Sequence, residues 1–429
     1  MKRLLIKCIL GLSTKRIIAK YHPLIIAVTG SVGKTSTKNA IAQTLASRVT
    51  LRKSQRNLNS DIGVPLVFIN GEDAKRSIAG WLRNVGKAIF LMVKKSALYP
   101  RVLVVEMGAD RPGDIAYLTG IAKPDIAVVT AIGDVPVHVG YYKNSDAVIL
   151  EKANVVRCLD KNDLAILNCD DEYVFRMRVM TQARICTFGF SSQADIRIVD
   201  FQTKTGRDAL GNEFPLGISF KLGYRGSFVP VSILGTLGKP VAYAFAAAAA
   251  CAMSFDMHMI EIVEALSDFE NEPGRMRLIP GVHHTMILDD TYNAAPIAMR
   301  AALDTFAACS GKRKIAILGD MLELGSYAQK VHEDMGAYAA SISALLIFVG
   351  EQSRFGYEQA LRNGFPADRL FHFSISTEVI DMIRTMLQPG DIVLIKGSQG
   401  MRMEKIIKGI MAEPKKAGEL LVRQSPEWK

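Results

Sequence analysis

The residues best suited to chemistry lie in one short stretch, residues 29–38, which reads TGSVGKTSTK. A glycine-rich turn that opens a helix directs backbone N–H groups and the positive end of the helix dipole at an anion. In such a turn Lys34 would reach the terminal phosphates of a nucleotide, and the Thr35 hydroxyl would coordinate Mg²⁺. The full Walker pattern also needs a glycine five residues before Gly33, where this sequence has Val28. The predicted phosphate-binding residues are Gly30, Ser31, Gly33, Lys34, Thr35 and Ser36.

The elements around this stretch are typical of a parallel sheet. An apolar run at 24–28 comes directly before it, and a helix to about residue 47 is predicted after it. Further β-branched runs at 102–105, 126–130 and 164–167 alternate with helical patterns, which favours a doubly wound α/β fold. Ligands bind beyond the carboxyl ends of such strands. Glu106 and the loop 132–138 are therefore candidates for the same site.

The second half of the chain changes character and then returns to the α/β pattern. Residues 195–235 alternate in polarity between glycine-rich turns, so a small antiparallel excursion is predicted there. The Ala-rich run 241–253 is too short to cross a bilayer and is predicted to be a buried helix. The sequence NEPG at 271–274 is a predicted linker. The predicted division is a basic segment at 1–22, a central domain at 23–273 and a C-terminal α/β domain at 274–429.

The charge and cysteine composition limit the kinds of molecule that this protein is expected to bind. The 429 residues include 53 Lys and Arg against 42 Asp and Glu, a net charge of +11 that suits a nucleotide or nucleotide-sugar. That charge also suits an anionic membrane or nucleic acid, but no nucleic-acid motif is present, so we expect no nucleic-acid partner. The six cysteines have no paired spacing, which argues against zinc or disulfides and favours a reducing cytoplasm.

Two basic stretches carry apolar residues at helical spacing. Residues 1–21 contain six basic residues and no acid, and no secretory cleavage site follows them. Residues 77–97 repeat this mixture of Lys, Arg and large apolar side chains. A helix of this kind either packs on the adjoining domain or lies on a membrane surface. The basic N-terminal segment therefore leaves open a peripheral membrane or protein partner.

Seven segments, in order along the chain, resemble the Mur ligases, the ATP-dependent amide-forming enzymes of peptidoglycan precursor synthesis. They are TGSVGKTSTK (29–38), NSDIGVP (59–65), EMGADRPGDI (106–115), EKANVV (151–156), LDDTYNAAPIAMRAAL (288–303), LGDMLELG (318–325) and KGSQGMRMEKI (396–406). The resemblance implies a P-loop-containing central ATPase domain followed by a Rossmann-like C-terminal domain. It also implies a peptide ligase that joins D-alanyl-D-alanine to the carboxylate of a nucleotide-sugar peptide, UDP-muramoyl-tripeptide, through an acyl phosphate.

The resemblance further implies ATP and Mg²⁺ as cofactors and assigns a catalytic set. Lys34 would contact the terminal phosphates, and Thr35 and Glu106 would hold Mg²⁺, which prefers oxygen ligands. His138 would hold a further metal ion. Lys152 would react with CO₂ to form a carbamate and so become an oxygen ligand, which requires a neutral lysine.

Other residues are implied to contact the nucleotide or the peptide. Arg275, with Arg277 as a competitor, would contact a nucleotide phosphate, and either Asp289 or Asp290 would contact the ribose, with Asp290 preferred. The remaining residues implied near the nucleotide or the incoming dipeptide are Asn59, Tyr292 and Asn293. Lys396 and Ser398 either bind substrate or pack at a helix start.

Three departures from the family pattern leave alternatives open. Gly238-Lys239-Pro240-Val241 stands where the family has Gly-x-His-Asn, and four residues separate Gly133 from His138, more than is usual. Only 23 residues precede the first predicted strand, so we expect the family's UDP-binding domain to be lacking. The alternatives are a Mur-like ligase with a different carboxylate and amine, and a non-catalytic nucleotide-binding subunit.

Overall fold

Two β-sheets, one of nine strands and one of six, organise the chain. The computed structural model describes residues 2–55, 58–425 and 428, with the backbone alone for Lys2. The strands of the first sheet are β1 Leu24–Thr29, β2 Leu51–Lys53, β3 Val102–Glu106, β4 Ile126–Val129, β5 Leu164–Asn168, β6 Arg184–Gly189, β7 Ile196–Arg207, β8 Glu213–Tyr224 and β9 Ser227–Leu234. Their order is β2-β3-β1-β4-β5-β6-β7-β8-β9. Pairing is parallel from β2 through β7 and antiparallel from β7 to β9.

Helices lie along the connections of this sheet. They are α1 Lys2–Tyr21, α2 Lys34–Leu45, α3 Gly63–Phe68, α4 Ile78–Val93, α5 Asp114–Ile121, α6 Ser145–Arg157, α7 Glu172–Arg176, α8 Lys239–Met253 and α9 Met259–Ala265. Helix α1 packs against α3, α4 and α5, so the packing that its sequence allowed is present.

The second sheet is mostly parallel. Its strands are β10 Arg277–Gly281, β11 Thr285–Asp290, β12 Arg313–Gly319, β13 Leu345–Val349, β14 Leu370–Phe373 and β15 Asp391–Lys396, in the order β10-β11-β15-β12-β13-β14. Only the β10–β11 pair among these is antiparallel. Its helices are α10 Pro296–Ala308, α11 Ala328–Ile342, α12 Ser353–Arg362, α13 Val379–Met386, α14 Glu404–Ile410 and α15 Ala417–Leu420.

The position of β1 determines where a ligand can bind at the edge of the first sheet. Strand β1 lies between β3 and β4, so the strand order reverses beside it. Such a reversal leaves a crevice at the carboxyl ends of parallel strands. The turn after β1 opens into this crevice, and Glu106, the last residue of β3, pairs with Val28 in the adjoining register.

The Ala-rich helix α8 brings the phosphate-binding helix α2 close to the sheet. Alanines of α8 such as Ala246 and Ala249 are fully buried, and α8 packs against α2 and against β5, β6 and β7. Because alanine carries no atoms beyond Cβ, these elements approach closely in a dense core. The position of α2 therefore depends on small side chains in α8.

The predicted fold class, an α/β protein with a parallel P-loop sheet followed by a second α/β sheet, is confirmed. The antiparallel region lies where it was predicted, as strands β7 to β9 between residues 196 and 234, but it is continuous with the parallel sheet. Strands β7 and β8 have 12 residues each, and β7 pairs in parallel with β6 through Phe188 and Ile196. The first sheet therefore continues through this region. Local sequence does not show this, because the pairing depends on β6 having a free edge next to β7.

The predictions about the cysteines and about membrane-spanning helices can be compared with the structure. All six cysteines are free thiols. Within the described residues, no helix combines the length and the apolar character needed to cross a bilayer.

We predict that enlarging one alanine of α8 destabilises the protein. Ala249→Leu places a larger side chain in a fully buried position, and overpacking of this kind typically costs about 1–3 kcal/mol of unfolding free energy. Ala116→Leu, at an exposed position of α5, is the matched control and should stay close to the wild type. Urea denaturation measures both, and equal stabilities would contradict the proposed role of α8.

Candidate active site

The turn between β1 and α2 has the backbone conformation of a phosphate-binding loop. Gly30 and Gly33 have φ angles of 144° and 85°, and Gly33 caps the N-terminus of α2. A Cβ atom at Gly30 would lie 2.1 Å from Thr130 Oγ1, so only glycine fits there. Lys34 Nζ donates to the carbonyls of Gly30 at 2.9 Å and Ser31 at 3.4 Å. The lysine is therefore held over the turn whose N–H groups face the anion.

The Glu106 carboxylate is the centre of the polar contacts beside this turn. Its Oε2 atom accepts a hydrogen bond from Thr35 Oγ1 at 2.9 Å and lies 3.8 Å from Lys38 Nζ. Its Oε1 atom accepts from Asn59 Nδ2 at 3.3 Å. In turn, Arg275 Nη2 donates to Thr35 Oγ1 at 2.9 Å. The predicted pair Thr35 and Glu106 is thus together, and Asn59 and Arg275 lie next to it.

Several buried cations determine the electrostatics of this group. Burial alone would raise the pKa of Glu106, but Lys34, Lys38 and Arg275 outweigh it and hold that pKa below its usual range. Burial lowers the pKa of Lys34 and of Lys38, and Glu106 partly offsets the effect in both. Glu106 is therefore an ionised carboxylate at neutral pH, as a metal ligand must be.

Lys152 lies beneath the same turn. It is on α6, its side chain is fully buried, and its Nζ atom donates to the Gly30 carbonyl at 3.2 Å. Burial, followed by the nearby charge of Lys34, lowers its pKa to about 7. A large fraction of this lysine is therefore neutral near neutral pH, which is the form that can react with CO₂.

The second sheet contributes residues on the opposite side of the cleft. Asp290, at the end of β11, pairs with Lys396 Nζ at 2.6 Å and accepts from the Met276 N–H at 3.2 Å. The guanidinium of Arg275 lies 4.1 Å from the centre of the Tyr292 ring. Residues of both sheets line one cleft of about 280 Å³, among them Ser31, Lys34, Arg275, Asp290 and Asn293.

The geometry decides between the predicted alternatives on the second sheet. Arg277 does not line the cleft and instead lies 3.7 Å from Glu270, whereas Arg275 reaches Thr35. Asp289 is fully buried and accepts hydrogen bonds from Gly274 N and from Thr291, so Asp290 is the residue that faces the cleft. Ser398 accepts from the Leu322 N–H at 2.9 Å, which is a packing contact.

His138 is held between two carboxylates. Its Nε2 atom lies 3.3 Å from Asp110 Oδ1, and its Nδ1 atom lies 2.5 Å from Glu323 Oε2. The pKa of Glu323 is lowered mainly by this histidine. Glu323 belongs to the loop after β12, so His138 joins the two sheets while it also lines the cleft beside Glu106.

The predicted linker is anchored to the phosphate-binding helix. Ser36 Oγ donates to Asn271 Oδ1 at 2.8 Å, and Asn39 Nδ2 donates to Glu272 Oε1 at 2.8 Å. Both Ser36 and Asn39 are on α2. The orientation of the second sheet is therefore linked to the helix that would carry the nucleotide phosphates.

A larger cavity of about 920 Å³ adjoins the other side of the turn. Its lining includes Gly33, Lys239, Pro240, Tyr243 and Ile297, so it also lies between the sheets. Lys239 Nζ lies 5.0 Å from the Phe190 ring centre, and the Tyr243 hydroxyl donates to Asp170 at 2.8 Å. Pro240 and Val241, at the positions of the family's His-Asn pair, line the smaller cleft, and Pro240 also lines this cavity.

Two features of the cleft fit a nucleotide and a magnesium ion, namely buried donors without a protein partner and the oxygen pair of Thr35 and Glu106. The Ser31 hydroxyl and Arg275 Nε are buried without a hydrogen-bond partner in the described structure, as donors reserved for a ligand would be. The described residues hold no group of three or more His, Cys, Asp or Glu that could bind a metal. Mg²⁺ commonly takes one or two protein oxygens and completes its shell with water and phosphate. The oxygens of Thr35 and Glu106 match this coordination preference of Mg²⁺.

Three residues of the site were not singled out in the sequence. Lys38 comes one turn after Lys34 on α2, and its spacing within the TGSVGKTSTK segment was the available signal. Asp110 and Glu323 stand inside the EMGADRPGDI and LGDMLELG segments, and only the fold brings them to His138.

A phosphate-binding turn, a buried carboxylate and a second α/β sheet across the cleft define a two-sheet nucleotide-binding enzyme. Sequence comparison identifies its class further. The Mur ligase middle domain matches residues 28–79 and 84–252, and the Mur ligase, glutamate ligase domain matches residues 274–399. The chain belongs to the Mur ligase family.

Individual relatives cover most of the chain. It is 28% identical over 393 residues to the UDP-N-acetylmuramoyl-tripeptide–D-alanyl-D-alanine ligase of Bacillus subtilis. The match covers 91% of this chain and 76% of the relative. MurF from Acinetobacter baumannii is similar with a TM-score of 0.75 and 25% identity, over 93% of this chain and 79% of that one. MurF ligase from Thermotoga maritima in complex with ADP shares the fold, with a TM-score of 0.75 and 22% identity. The match covers 96% of this chain and 84% of that one.

We predict a pH dependence of stability that originates at Lys152. Its pKa is about 7 in the folded protein against an ordinary value of 10.5. Between these values the unfolded chain binds more protons, so unfolding free energy rises with pH by up to about 1.4 kcal/mol per unit. Below about pH 7 both states hold the proton, and the unfavourable contribution is constant.

We therefore expect Lys152→Met to remove this rise. Relative to the wild type, the variant should lose stability steadily between about pH 7 and about pH 9, in urea denaturation without nucleotide. Lys161→Met, at an exposed position, is the control and should keep a constant difference from the wild type. A constant difference for Lys152→Met as well would show that Lys152 stays charged when buried.

Proposed function

We propose that this protein is an ATP-dependent ligase that joins D-alanyl-D-alanine to the carboxylate of UDP-muramoyl-tripeptide in peptidoglycan precursor synthesis. The observation that carries the proposal is the Lys34, Thr35 and Glu106 group at the phosphate-binding turn, with Arg275, directly after the linker, in contact with it. This arrangement stands in a Mur ligase fold whose similar relatives include the ligases with that name in several bacteria.

Formation of an amide from a carboxylate needs an activated carboxylate. Transfer of the γ-phosphoryl group supplies it as an acyl phosphate, and the developing negative charge must be met by fixed cations and donors. Lys34 is held within 2.9 Å of the Gly30 carbonyl and would exchange this contact for the terminal phosphates. Arg275, whose Nε lacks a partner in the described structure, would contact the same phosphates.

The metal set is part of the proposal. Thr35 and Glu106 would hold Mg²⁺, which would neutralise phosphate charge during transfer. His138 would approach the same region from the loop after β4. Because Asp110 and Glu323 hold its two nitrogens, it would have to leave them in order to bind a metal ion.

We propose that Lys152 carries a carbamate in the working enzyme. Its support is the combination of a buried side chain, a pKa lowered to about 7 and a position beside the turn. The neutral amine of Lys152 would add to CO₂ and release a proton, which would leave an anion beside Lys34 that the charge of Lys34 would stabilise. It would also supply an oxygen ligand to the metal region.

The nucleotide would lie across both sheets. We propose that Asp290 contacts the ribose, that Asn293 lies near the nucleotide or the dipeptide, and that Asn59 helps to position Glu106. Pro240 and Val241 stand in place of the family's His-Asn pair, and Pro240 lines the larger cavity, so the base would be held there by packing. Because the contacts come from both sides of the linker, substrate binding would close the cleft.

Further parts of the predicted organisation stay predictions. They are the division into 1–22, 23–273 and 274–429 and the cytoplasmic location. The relatives named above are matched over 76% and 79% of their length. The basic N-terminal segment, as part of α1, is proposed to contact a membrane or protein partner.

The first test is phosphate release from ATP with Mg²⁺, UDP-muramoyl-tripeptide and D-alanyl-D-alanine, each omitted in turn. Release should require all of them, and mass spectrometry should show the pentapeptide product. Lys34→Ala should lower the rate at least about hundredfold, because it removes a cation at the developing charge. Lys312→Ala, at an exposed position, is the control and should keep the wild-type rate.

The other outcomes separate the alternatives. Release that needs a different carboxylate or amine would identify a Mur-like ligase of another substrate. Tight ATP binding without release under any of these conditions would identify a non-catalytic nucleotide-binding subunit.

The carbamate has its own test. In ¹³C-bicarbonate, the wild type should show a carbamate signal by ¹³C NMR, and Lys152→Ala should lose it, while Lys161→Ala should keep it. A signal that survives in Lys152→Ala would place the carbamate elsewhere and refute the assignment.

A further inference from the structure

Helix α4 packs Trp81, Leu91 and Met92 against the core and presents a second apolar side to solvent. Among its residues only Asn84 and Ala88 are buried. Five large apolar side chains of the helix are exposed, each by half or more: Ile78, Leu82, Ile89, Phe90 and Val93. In a helix that only packs on a core, the apolar side would face inward. The exposed side of α4 therefore needs another explanation.

The exposed residues of α4 are arranged in two adjoining sectors. With 3.6 residues per turn, the five apolar residues and Gly86 share an arc of about 120° around the helix axis. Arg83 and Lys94 follow at the edge of this arc, and both are exposed. An apolar arc bordered by cationic side chains is the pattern of a helix that lies in a membrane interface.

Helix α1 extends this pattern beside α4. The two helices pack together, and Lys20 Nζ donates to the carbonyls of Leu91 and Met92 at the end of α4. On the outer side of α1 three leucines are exposed, followed by Lys15 and Arg16. Those leucines are Leu4, Leu5 and Leu12. Neither helix contains Asp or Glu.

We propose that the exposed faces of α1 and α4 form a docking surface for an anionic lipid membrane. The apolar side chains would enter the boundary between headgroups and acyl chains, and the Lys and Arg residues would contact lipid phosphates. A protein interface fits these observations less well, because interfaces are depleted of lysine at their core. The proposal concerns the location of the chain and does not depend on its ligase activity.

Vesicle flotation of the full-length protein without substrates tests the surface. We expect binding to vesicles of phosphatidylglycerol and phosphatidylcholine, weaker binding at high salt, and little binding to phosphatidylcholine alone. The variant Phe90→Ser with Val93→Ser should bind the anionic vesicles more than about tenfold more weakly, because apolar area that enters the lipid is lost.

The chain offers close controls. Phe90 and Val93 are 53% and 80% exposed, and Phe228 and Val179, far from α4 in sequence, are 48% and 80% exposed. The variant Phe228→Ser with Val179→Ser should therefore bind vesicles as the wild type does. For charge, Lys94→Glu with Lys95→Glu should weaken binding at least about fivefold, while Lys405→Glu with Lys415→Glu, of equal net charge, should change it less. Circular dichroism and thermal unfolding verify that every variant is folded.

Three results would overturn the proposal. One is no binding to anionic vesicles at low salt. A second is equal binding by the α4 and control variants, which would show that the overall positive charge alone attracts the lipid. The third is self-association of the wild type that the Phe90→Ser with Val93→Ser variant abolishes, which would assign the surface to a second copy of the chain.

Discussion

The buried charge of Glu106 is the constraint on which the site depends. A carboxylate at the end of β3 is stable in this position because Thr35 donates to it and because Lys34, Lys38 and Arg275 surround it. If one charged partner of a buried ion pair is removed, the remaining partner is left as an uncompensated buried charge. This typically costs about 3–5 kcal/mol of unfolding free energy. The members of the group therefore depend on one another, and together they prepare the place where phosphate and metal charges would be balanced.

The same group connects the two halves of the molecule. Arg275, directly after the linker, reaches Thr35, and the linker residues Asn271 and Glu272 are hydrogen bonded to α2. His138 and Glu323 form a second link between the sheets. Any change of the charge at the turn, such as a bound nucleotide, would therefore act directly on the contacts that orient the second sheet. Under the proposed function, these contacts are the route by which a bound nucleotide would close the cleft.

Much of this site could be predicted from the sequence, for a definite reason. The turn requires Gly30 and Gly33 because other residues would clash or be strained, and Lys34 and Thr35 must follow at fixed spacing on one helix end. These are local constraints, so a short segment contains them completely. The buried strands were also evident, because both faces of a parallel sheet are covered and its strands become continuous apolar runs.

Other features depend on contacts between distant segments and were decided by the tertiary structure. Only the folded structure shows that Arg275 and Asp290 line the cleft while Arg277 and Asp289 do not. The sequence marked α1 and α4 as basic and apolar, but their exposed sides became visible only when the packing of both helices was known. The sequence by itself thus determined the phosphate-binding turn and the succession of strands and helices. Only the tertiary structure decided which charges meet, because electrostatic and packing partners lie tens to hundreds of residues apart along the chain.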